Sequence, residues 1–406
     1  MDDKNSKIAD SIRQTREKRK SQDCKTYRFK IDRSSLSRQQ LETIQMMFLE
    51  AKRFYNHLLT VEDIFHCDYK EFSSVVYLDR DRSPVTYQIQ HLSAATRQAI
   101  MSQVQNQTKG LSVLKKHGHT VGRLKFKSEV SSIPLKQYGM THKIVGTSKF
   151  KIQGIPKPIR VNGLKQLSKS GTIDYANAKL LHDGYDYFIS LTCYVEKEEP
   201  IEKQHIGIDL GCTTTVTLSD GTKFDVQVGE SERLKKLQTR LSRQVKRSNN
   251  WKKTRSKIRK EYTHLCNQKK DRANQILSYL KRYAVVMQDE QLDSWKTDIN
   301  SKKIQHSALG RIKSVLMSRP DTVILDQWFP TTKMCSKCGA KNQSLNLSDR
   351  TFKCPVCGAL EDRDIHAAQN MLLFYSRYKD GLGTSRTSKP VLIRFRQEDT
   401  TCSGSC

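Results

Sequence analysis

Two short cysteine pairs constrain this chain more than any other feature. Cys335-Ser336-Lys337-Cys338 and Cys354-Pro355-Val356-Cys357 are CxxC knuckles with fifteen residues between them, and each is followed by glycine, Gly339 and Gly358. Two intervening residues bring both sulfurs to one side of a tight turn, and the glycines let backbone amides face the thiolates. Four thiolates close a tetrahedron around one ion and leave no open position, so the spacing predicts one structural Zn²⁺ held by Cys335, Cys338, Cys354 and Cys357. An iron–sulfur centre or a redox pair leaves the two glycines unexplained. The other seven cysteines (Cys24, Cys67, Cys193, Cys212, Cys266, Cys402 and Cys406) lie far apart, which reads as ordinary thiols rather than a disulfide framework.

A chain of 406 residues has room for two or three domains. It carries 72 Lys and Arg against 42 Asp and Glu, a formal charge of +30. A surplus of that size points to a polyanionic partner, most simply nucleic acid. No run approaches the roughly 18 apolar residues of a membrane span. The start, Met1-Asp2-Asp3-Lys4, lacks the apolar core of a secretory signal. The expectation is a soluble, cytoplasmic protein without a membrane partner.

Along the chain the texture changes several times. Residues 1–25 are polar and basic without an apolar period, and are expected to be disordered until nucleic acid orders them. Thr26–Ile31 alternates as a strand does. Ser37 is placed to cap a helix with an apolar stripe of Leu41, Ile44, Met47, Phe48, Ala51, Phe54 and Leu58, and a second helical region runs from about 93 to 114. From 122 to 195 short alternating runs broken by glycine and proline predict a small barrel, completed by the first strand. A charged linker ends at Pro200. Beyond it come the buried strand Ile206–Gly211, two strands joined at Asp220-Gly221, basic helices, and the strands Ala284–Met287 and Thr322–Asp326. A helix from Asp364 to about Tyr378 and a loose tail from 379 to 406 complete the chain.

Strands, long helices and a strand with an acidic end are the texture of an RNase H-like fold, in which acids distant in sequence can meet at one sheet edge. Asp209 lies on an apolar strand, Glu290 ends another, and Asp364 opens the last helix. Glu290 is preferred over Asp289 because side chains alternate along a strand; Asp364 is preferred over Asp362. Three carboxylates around one point repel unless divalent cations fill the space, and Mg²⁺, a hard ion that takes oxygen ligands, suits them. Two such ions can activate water and stabilise the leaving oxygen of a phosphodiester.

Ser231 to Arg282 holds 18 Lys and Arg against Glu232, Glu261 and Asp271, with a break expected near Ser248-Asn249-Asn250. That bias exceeds what solubility needs and predicts phosphate contact. Tyr27, Phe54, Tyr55, Tyr138 and Trp251 lie near basic residues and can stack on bases, although each taken singly fits a core equally well.

The segments Gly207-Ile208-Asp209-Leu210-Gly211, Gln288-Asp289-Glu290 and Cys335 through Asn370 together resemble the TnpB family, RNA-guided nucleases of IS200/IS605-type insertion sequences. They also resemble the miniature type V CRISPR nucleases. Gly122-Arg123-Leu124-Lys125-Phe126-Lys127 and Arg53-Phe54-Tyr55-Asn56 extend the likeness upstream, so that it covers about 26 to 375. The resemblance implies a multidomain α/β plus β-barrel protein. Residues 26–35 and 119–199 would form a wedge barrel and 36–118 an inserted helical recognition module. Residues 200–330 and 362–378 would form an RNase H-like RuvC nuclease, with an inserted zinc ribbon at 331–361. It implies Asp209, Glu290 and Asp364 as a catalytic triad holding two Mg²⁺, a guide RNA derived from the transposon end, and double-stranded DNA cut beside a short motif. One or two protein copies per RNA, in a nucleoid-associated prokaryotic setting, are expected. Two positions depart from the pattern: His366 stands where asparagine is common, and Gln288-Asp289 precedes the acid where apolar residues are common. Rival readings are a CRISPR effector, a guide-bound repressor without cleavage, a DDE transposase, and a plain zinc-ribbon RNA-binding protein. The last leaves Asp209 and Glu290 without a role, and a ribbon directly before the third acid does not suit a DDE enzyme.

Overall fold

A helix opens the chain where the sequence shows no apolar period. In the computed structural model, which describes residues 2–79, 81, 83–169, 172–197, 202–292, 301–346, 349–378 and 391–393, α1 (Asp2–Lys20) replaces the expected disordered arm. Local polar contacts hold it. Lys20 Nζ lies 2.9 Å from Glu17 Oε1, Lys18 Nζ reaches Asp174 Oδ2 at 2.7 Å, and the Arg19 guanidinium sits 4.3 Å over the Tyr194 ring. Such contacts leave no mark on hydrophobic periodicity, which is why the pattern of apolar residues did not show the helix.

The chain folds as two compact units, Met1–Glu199 and Pro200–Cys406. In the first, β1 (Gln22–Ile31) begins at Gln22 rather than Thr26. α2 (Arg38–Leu58) carries a capping box: Ser37 Oγ accepts from the Gln40 amide at 3.1 Å, and Gln40 Oε1 accepts from the Ser37 amide at 2.9 Å. Its stripe of Ile44, Met47, Ala51, Phe54 and Leu58 is buried. A hairpin, β2 (Ser74–Leu78) with β3 (Pro84–Gln88), interrupts the helical region before α3 (Ala94–Lys116). Glu50 of α2, wholly buried, ties hairpin to helix. Its carboxylate accepts from the amides of Gln90, His91 and Leu92 at 3.0, 2.8 and 3.0 Å and from the Tyr87 hydroxyl at 3.1 Å. A buried charge persists only when satisfied in this way.

The strands β4 (Ser132–Leu135), β5 (His142–Val145), β6 (Lys149–Ile152), β7 (Ile159–Asn162), β8 (Ile173–His182) and β9 (Tyr187–Glu196) join β1 in a seven-stranded, nearly closed barrel of order β4-β8-β9-β1-β7-β6-β5. β1 sits between β9 and β7, with Tyr27 opposite Leu191 and Lys30 opposite Asn162. Alternate residues of β9 (Ile189, Leu191, Cys193 and Val195) face the core, the period-two signature of a half-buried strand.

The second unit is a six-stranded sheet. β10 (His205–Leu210), β11 (Val216–Leu218) and β12 (Lys223–Phe224) form an antiparallel meander; α4 (Glu232–Ser242) and α5 (Asn249–Leu280) follow. Then come β13 (Ala284–Gln288), α6 (Ser301–His306), α7 (Leu309–Leu316), β14 (Thr322–Leu325), the hairpin β15 (Thr351–Lys353) with β16 (Leu360–Asp362), α8 (Arg363–Tyr378) and β17 (Val391–Ile393). The order is β12-β11-β10-β13-β14-β17, and β10, β13, β14 and β17 run parallel. Within the segment expected to be a loose tail, the apolar triplet 391–393 forms β17 beside β14. The rest of 379–406 and the linker residues 198–201 lie outside the described residues.

Alternation on the central strands decides what each face sees. Ile206, Ile208, Leu210, Val285 and Met287 pack with Ile276, Leu280, Leu309 and Ile312 of α5 and α7. Val286, Val323 and Leu325 pack with Met371 and Phe374 of α8. Gly207 and Asp209 therefore share the α8 face.

Candidate metal centres

The carboxylates come first, because an absent side chain places them. A Cβ on Gly207 would lie 1.9 Å from the carbonyl oxygen of Ala368, so only glycine lets the backbone of α8 rest on β10. Asp209 is two residues along the strand from that contact, about 6.6 Å. Asp364 is one helical turn before Ala368, about 6 Å. Both acids thus leave one crossing point toward the carboxyl end of β10. Glu290 follows β13, the parallel neighbour of β10, with Ile208 opposite Met287. Asp209 keeps some accessible surface, yet dense packing around its carboxyl pushes its pKa well above the usual carboxylate range. Asp364 and Glu290 add to the rise, and Arg363 opposes it. Glu290 is raised as well, by burial against the opposing pull of Lys313.

The neighbouring acids that the sequence offered as alternatives have other partners. Asp289 Oδ1 accepts from Lys313 Nζ at 2.9 Å. Asp362 Oδ1 accepts from the amides of Asp364 and Ile365 at 3.1 and 3.2 Å, capping α8, and Oδ2 meets Lys223 Nζ at 2.8 Å. Burial would raise Asp362, but the Lys223 and amide hydrogen bonds outweigh it and hold its pKa low. Glu290 and Asp364 are the acids whose charges act on Asp209 most strongly.

The four cysteine sulfurs lie within 4.8 Å of one another, the one such ligand group among the described residues. Cys335 Sγ is 3.6 Å from Cys357 Sγ and Cys338 Sγ is 3.4 Å from Cys354 Sγ; a zinc tetrahedron with bonds of about 2.3 Å sets sulfurs about 3.8 Å apart. Both knuckles turn through left-handed glycines, Gly339 at φ 73° and Gly358 at φ 70°. Backbone amides of Cys357 and Val356 pull the Cys354 thiol down to about 6, and burial pushes Cys335 up to about 12. One ready thiolate beside a buried thiol suits an ion that draws off the remaining protons.

Ribbon and sheet meet through polar side chains that the sequence did not mark as functional. Gln288, at 5 % exposure, donates from Nε2 to the carbonyls of Asp326 and Phe329 at 3.1 and 2.9 Å and accepts at Oε1 from Thr331 Oγ1 at 2.8 Å. Asn370 Nδ2 donates to the carbonyls of Thr331 and Met334, each at 2.7 Å. His366 Nε2 lies 2.7 Å from the same Met334 carbonyl, Nδ1 lies 2.7 Å from Glu361 Oε2, and the ring stacks on Phe352 at 4.0 Å. The usable signal was a glutamine ending an otherwise apolar strand.

The basic stretch folds as a hairpin of α4 and α5 around Leu234, Ile258 and Leu265, with its break at 243–248. Lys236, Arg240, Arg243, Lys252, Lys253 and Lys257 are exposed. Among the aromatic candidates, Phe54 and Tyr55 are buried and Tyr138 stacks on Tyr175 at 4.8 Å, so these three serve packing.

Fold and sites thus define a two-unit protein: a barrel carrying inserted helices, and a mixed sheet carrying Asp209 and a four-cysteine cluster. Residues 188–293 match the family model OrfB_IS605, described as "Probable transposase", and residues 319–371 match the Cas12f1-like TNB domain. The chain is 30 % identical over 217 residues to a protein of Streptomyces pristinaespiralis provisionally named RNA-guided DNA endonuclease, covering 50 % of this chain and 54 % of that one. It is 28 % identical over 217 residues to Escherichia coli K12 InsQ, provisionally given the same name, covering 46 % and 53 %. It therefore spans about half the length of the curated relatives it matches. Among solved structures, a Cas12f1 complex with single-guide RNA and target DNA aligns at TM-score 0.48 and 13 % identity, over 86 % of this chain and 99 % of that one. The mini-RNA-guided endonuclease CRISPR-Cas_phi3 aligns at 0.40 and 11 %, over 87 % and 92 %. The resemblance to TnpB-type proteins runs through both family-matched segments.

Proposed function

We propose that this chain is an RNA-guided, Mg²⁺-dependent DNA endonuclease with an RNase H-like RuvC sheet, in which Asp209, Glu290 and Asp364 hold the catalytic ions. The observation that carries the reading is at Asp209: Asp364 and Glu290 both lift the pKa of this densely packed acid, beside the close approach of α8 at Gly207. Such a cluster is unfavourable when ionised and is relieved by a hard divalent cation. Strand order supports the fold assignment, with an antiparallel meander beside parallel strands and the acids on β10, after β13 and at the start of α8. Two bound Mg²⁺ supply an activated water and a counter-charge for the leaving phosphodiester oxygen. The chain's part is to hold the acids. Gly207 sets the approach of α8, Asp362 caps it, and Lys313 occupies Asp289 so that Glu290 stays directed to the site.

The names of the curated relatives support guided DNA cleavage. On this reading a guide RNA derived from the transposon end selects double-stranded DNA by base pairing. The barrel and its inserted helices at 26–199 form the wedge and recognition parts, and the α4–α5 hairpin neutralises phosphates. One zinc in the ribbon is structural. The protein works in the cytoplasm of a prokaryotic cell, beside its nucleoid, as one or two copies on one RNA. The match of 319–371 to a Cas12f1-like domain favours, as a second reading, a miniature type V effector using a CRISPR RNA.

The experiment is to express the gene with its native flanking DNA and sequence the RNA that co-purifies. The complex is then given plasmid carrying the guide's complement next to randomised sequence, with Mg²⁺. One discrete RNA mapping to the adjacent element, with cleavage lost in Asp209→Ala, is expected. RNA from a repeat array selects the CRISPR reading. Guide-dependent binding without cutting leaves a repressor, and unrelated cellular RNA overturns guided cleavage altogether.

A further inference from the structure

Two acids of the proposed site are each two residues from a buried polar side chain whose hydrogen bonds run away from them. Gln288 precedes Glu290, and His366 follows Asp364. These side chains are joined. Gln288 uses both amide protons and its oxygen on the turn 326–331, and the Thr331 carbonyl of that turn accepts from Asn370. Asn370 and His366, one turn apart on α8, converge on the Met334 carbonyl, the last residue before Cys335. Every side chain in the chain of bonds is at least nine-tenths buried: Gln288 at 5 %, Thr331 at 3 %, Asn370 and His366 at 0 %. His366 is fixed from its other side by Glu361 of β16 and by the Phe352 ring. The same two positions, Gln288 and His366, are those where the sequence departs from the pattern it otherwise resembles.

Breaking one bond of this network is costly, because it leaves a partner unpaired in the interior; Asn370 Oδ1 is the one atom of its side chains already without a partner. Its ends are rigid elements, strand β13 and helix α8, and its middle is the root of the zinc ribbon. We propose that Gln288 and His366 are positioning residues that fix the separation of Glu290 from Asp364 through the ribbon root, and thereby set the affinity of the acid site for divalent cations. The inference rests on the reading of those acids as a metal site. Glu361, Lys337, Asn370 and the backbone carbonyls already named are the polar groups around His366, and no change in its protonation is required.

The test uses Mn²⁺ alone, titrated into the full-length zinc-loaded protein with free ion read by electron paramagnetic resonance. Zinc content and melting temperature are measured on the same samples. Gln288→Leu and His366→Phe are each expected to keep one zinc and to weaken Mn²⁺ binding about tenfold, the scale found when partners behind metal ligands are removed. The double variant should be no weaker than the weaker single, because both cut one network. Thr331→Val, which removes a single hydroxyl bond, should weaken binding about threefold and serves if the larger changes fail to fold. Lower melting temperatures with unchanged Mn²⁺ affinity would assign the network to packing and overturn the proposal, as would independent, multiplying effects. If wild type binds no Mn²⁺ that Asp209→Asn removes, the metal-site reading falls and takes this inference with it. If Asp209→Asn abolishes binding and the network variants do not alter it, only the inference falls.

Discussion

The four-cysteine ribbon and the proposed acid site are both sets of like-charged side chains, yet they are built in opposite ways. The ribbon gathers its four sulfurs from 23 consecutive residues, Cys335 to Cys357, and each knuckle's turn sets the geometry of its own pair. The proposed acid site draws on three elements spread over residues 209 to 364, and could form only once β10, β13 and α8 are packed. A local site can be supported by its own backbone amides, as at Cys354. A site assembled at long range depends on what lies behind each ligand: Gly207 under α8, Asp362 at its cap, Lys313 on Asp289. Defects in the first should therefore act on folding, and defects in the second on chemistry.

The largest effect tests the acids. Asp209→Asn keeps size and shape and is expected to lower cleavage by the guided complex about a thousandfold or more, with guide RNA still bound. Cleavage at the wild-type rate, measured on plasmid under single-turnover conditions, would remove Asp209 from the site. Next in size is the ribbon. Cys354→Ser takes away the ligand whose pKa is already low, and zinc binding is linked to local folding. The expected result is zinc loss, ready proteolysis between about 331 and 361, and a cost of several kcal/mol. A protease-resistant, zinc-free variant would sink the structural assignment.

The same contrast explains what could be read from the amino-acid order. The ribbon was legible to the residue, because two CxxC knuckles and their glycines are a local code. The stripes of α2 and the apolar run of β13 were legible for the same reason, and Ser37 announced its capping box. The hairpin at 74–88 was not, since short runs such as Ser74–Leu78 fit several structures. Helix α1 was hidden because polar pairs hold it, and β17 because three apolar residues in a polar tail carry too little pattern. Asp209, Glu290 and Asp364 were picked by setting and resemblance; the approach of α8 to β10 that their proposed site needs depends on Gly207, whose reason lies 161 residues away at Ala368.

Gly207→Ala sharpens the point with a smaller effect. Its new methyl would fall 1.9 Å from the Ala368 carbonyl oxygen, which is backbone and cannot swing aside. α8 must lift, at about 1–3 kcal/mol. Because Asp364 rides on α8 and the ribbon's own turns do not, cleavage and Mn²⁺ affinity should drop while zinc content stays at one per chain. Loss of zinc together with activity would mean that ribbon and acid site are not separable in this way.

The smallest effect is a difference in how stability varies with pH, and it distinguishes the acids from the rest of the fold. Asp209 and Glu290 have folded pKa values above their unfolded ones. Between those values the folded state holds more protons than the unfolded, so stability falls as pH rises through the interval and levels off above the folded pKa. Asp362 and Asp321 behave oppositely. Each is held low despite its burial, Asp362 by Lys223 and amides of α8, Asp321 by Arg319 and Lys203. Their contribution is complete above the unfolded carboxylate pKa and is lost as pH falls through the lowered folded value. Between pH 5, where the zinc is still held, and neutral pH, magnesium-free protein should therefore lose a few degrees of melting temperature, where about 2–4 °C corresponds to 1 kcal/mol for a unit of this size. Asp209→Asn should flatten the neutral limb and leave the acid limb unchanged, and Mg²⁺ should restore the loss in wild type alone. If wild type and Asp209→Asn give parallel curves from pH 5 to 8 in magnesium-free buffer, the acids do not repel across one site, and the contrast between a self-supported ribbon and a strained acid cluster is lost.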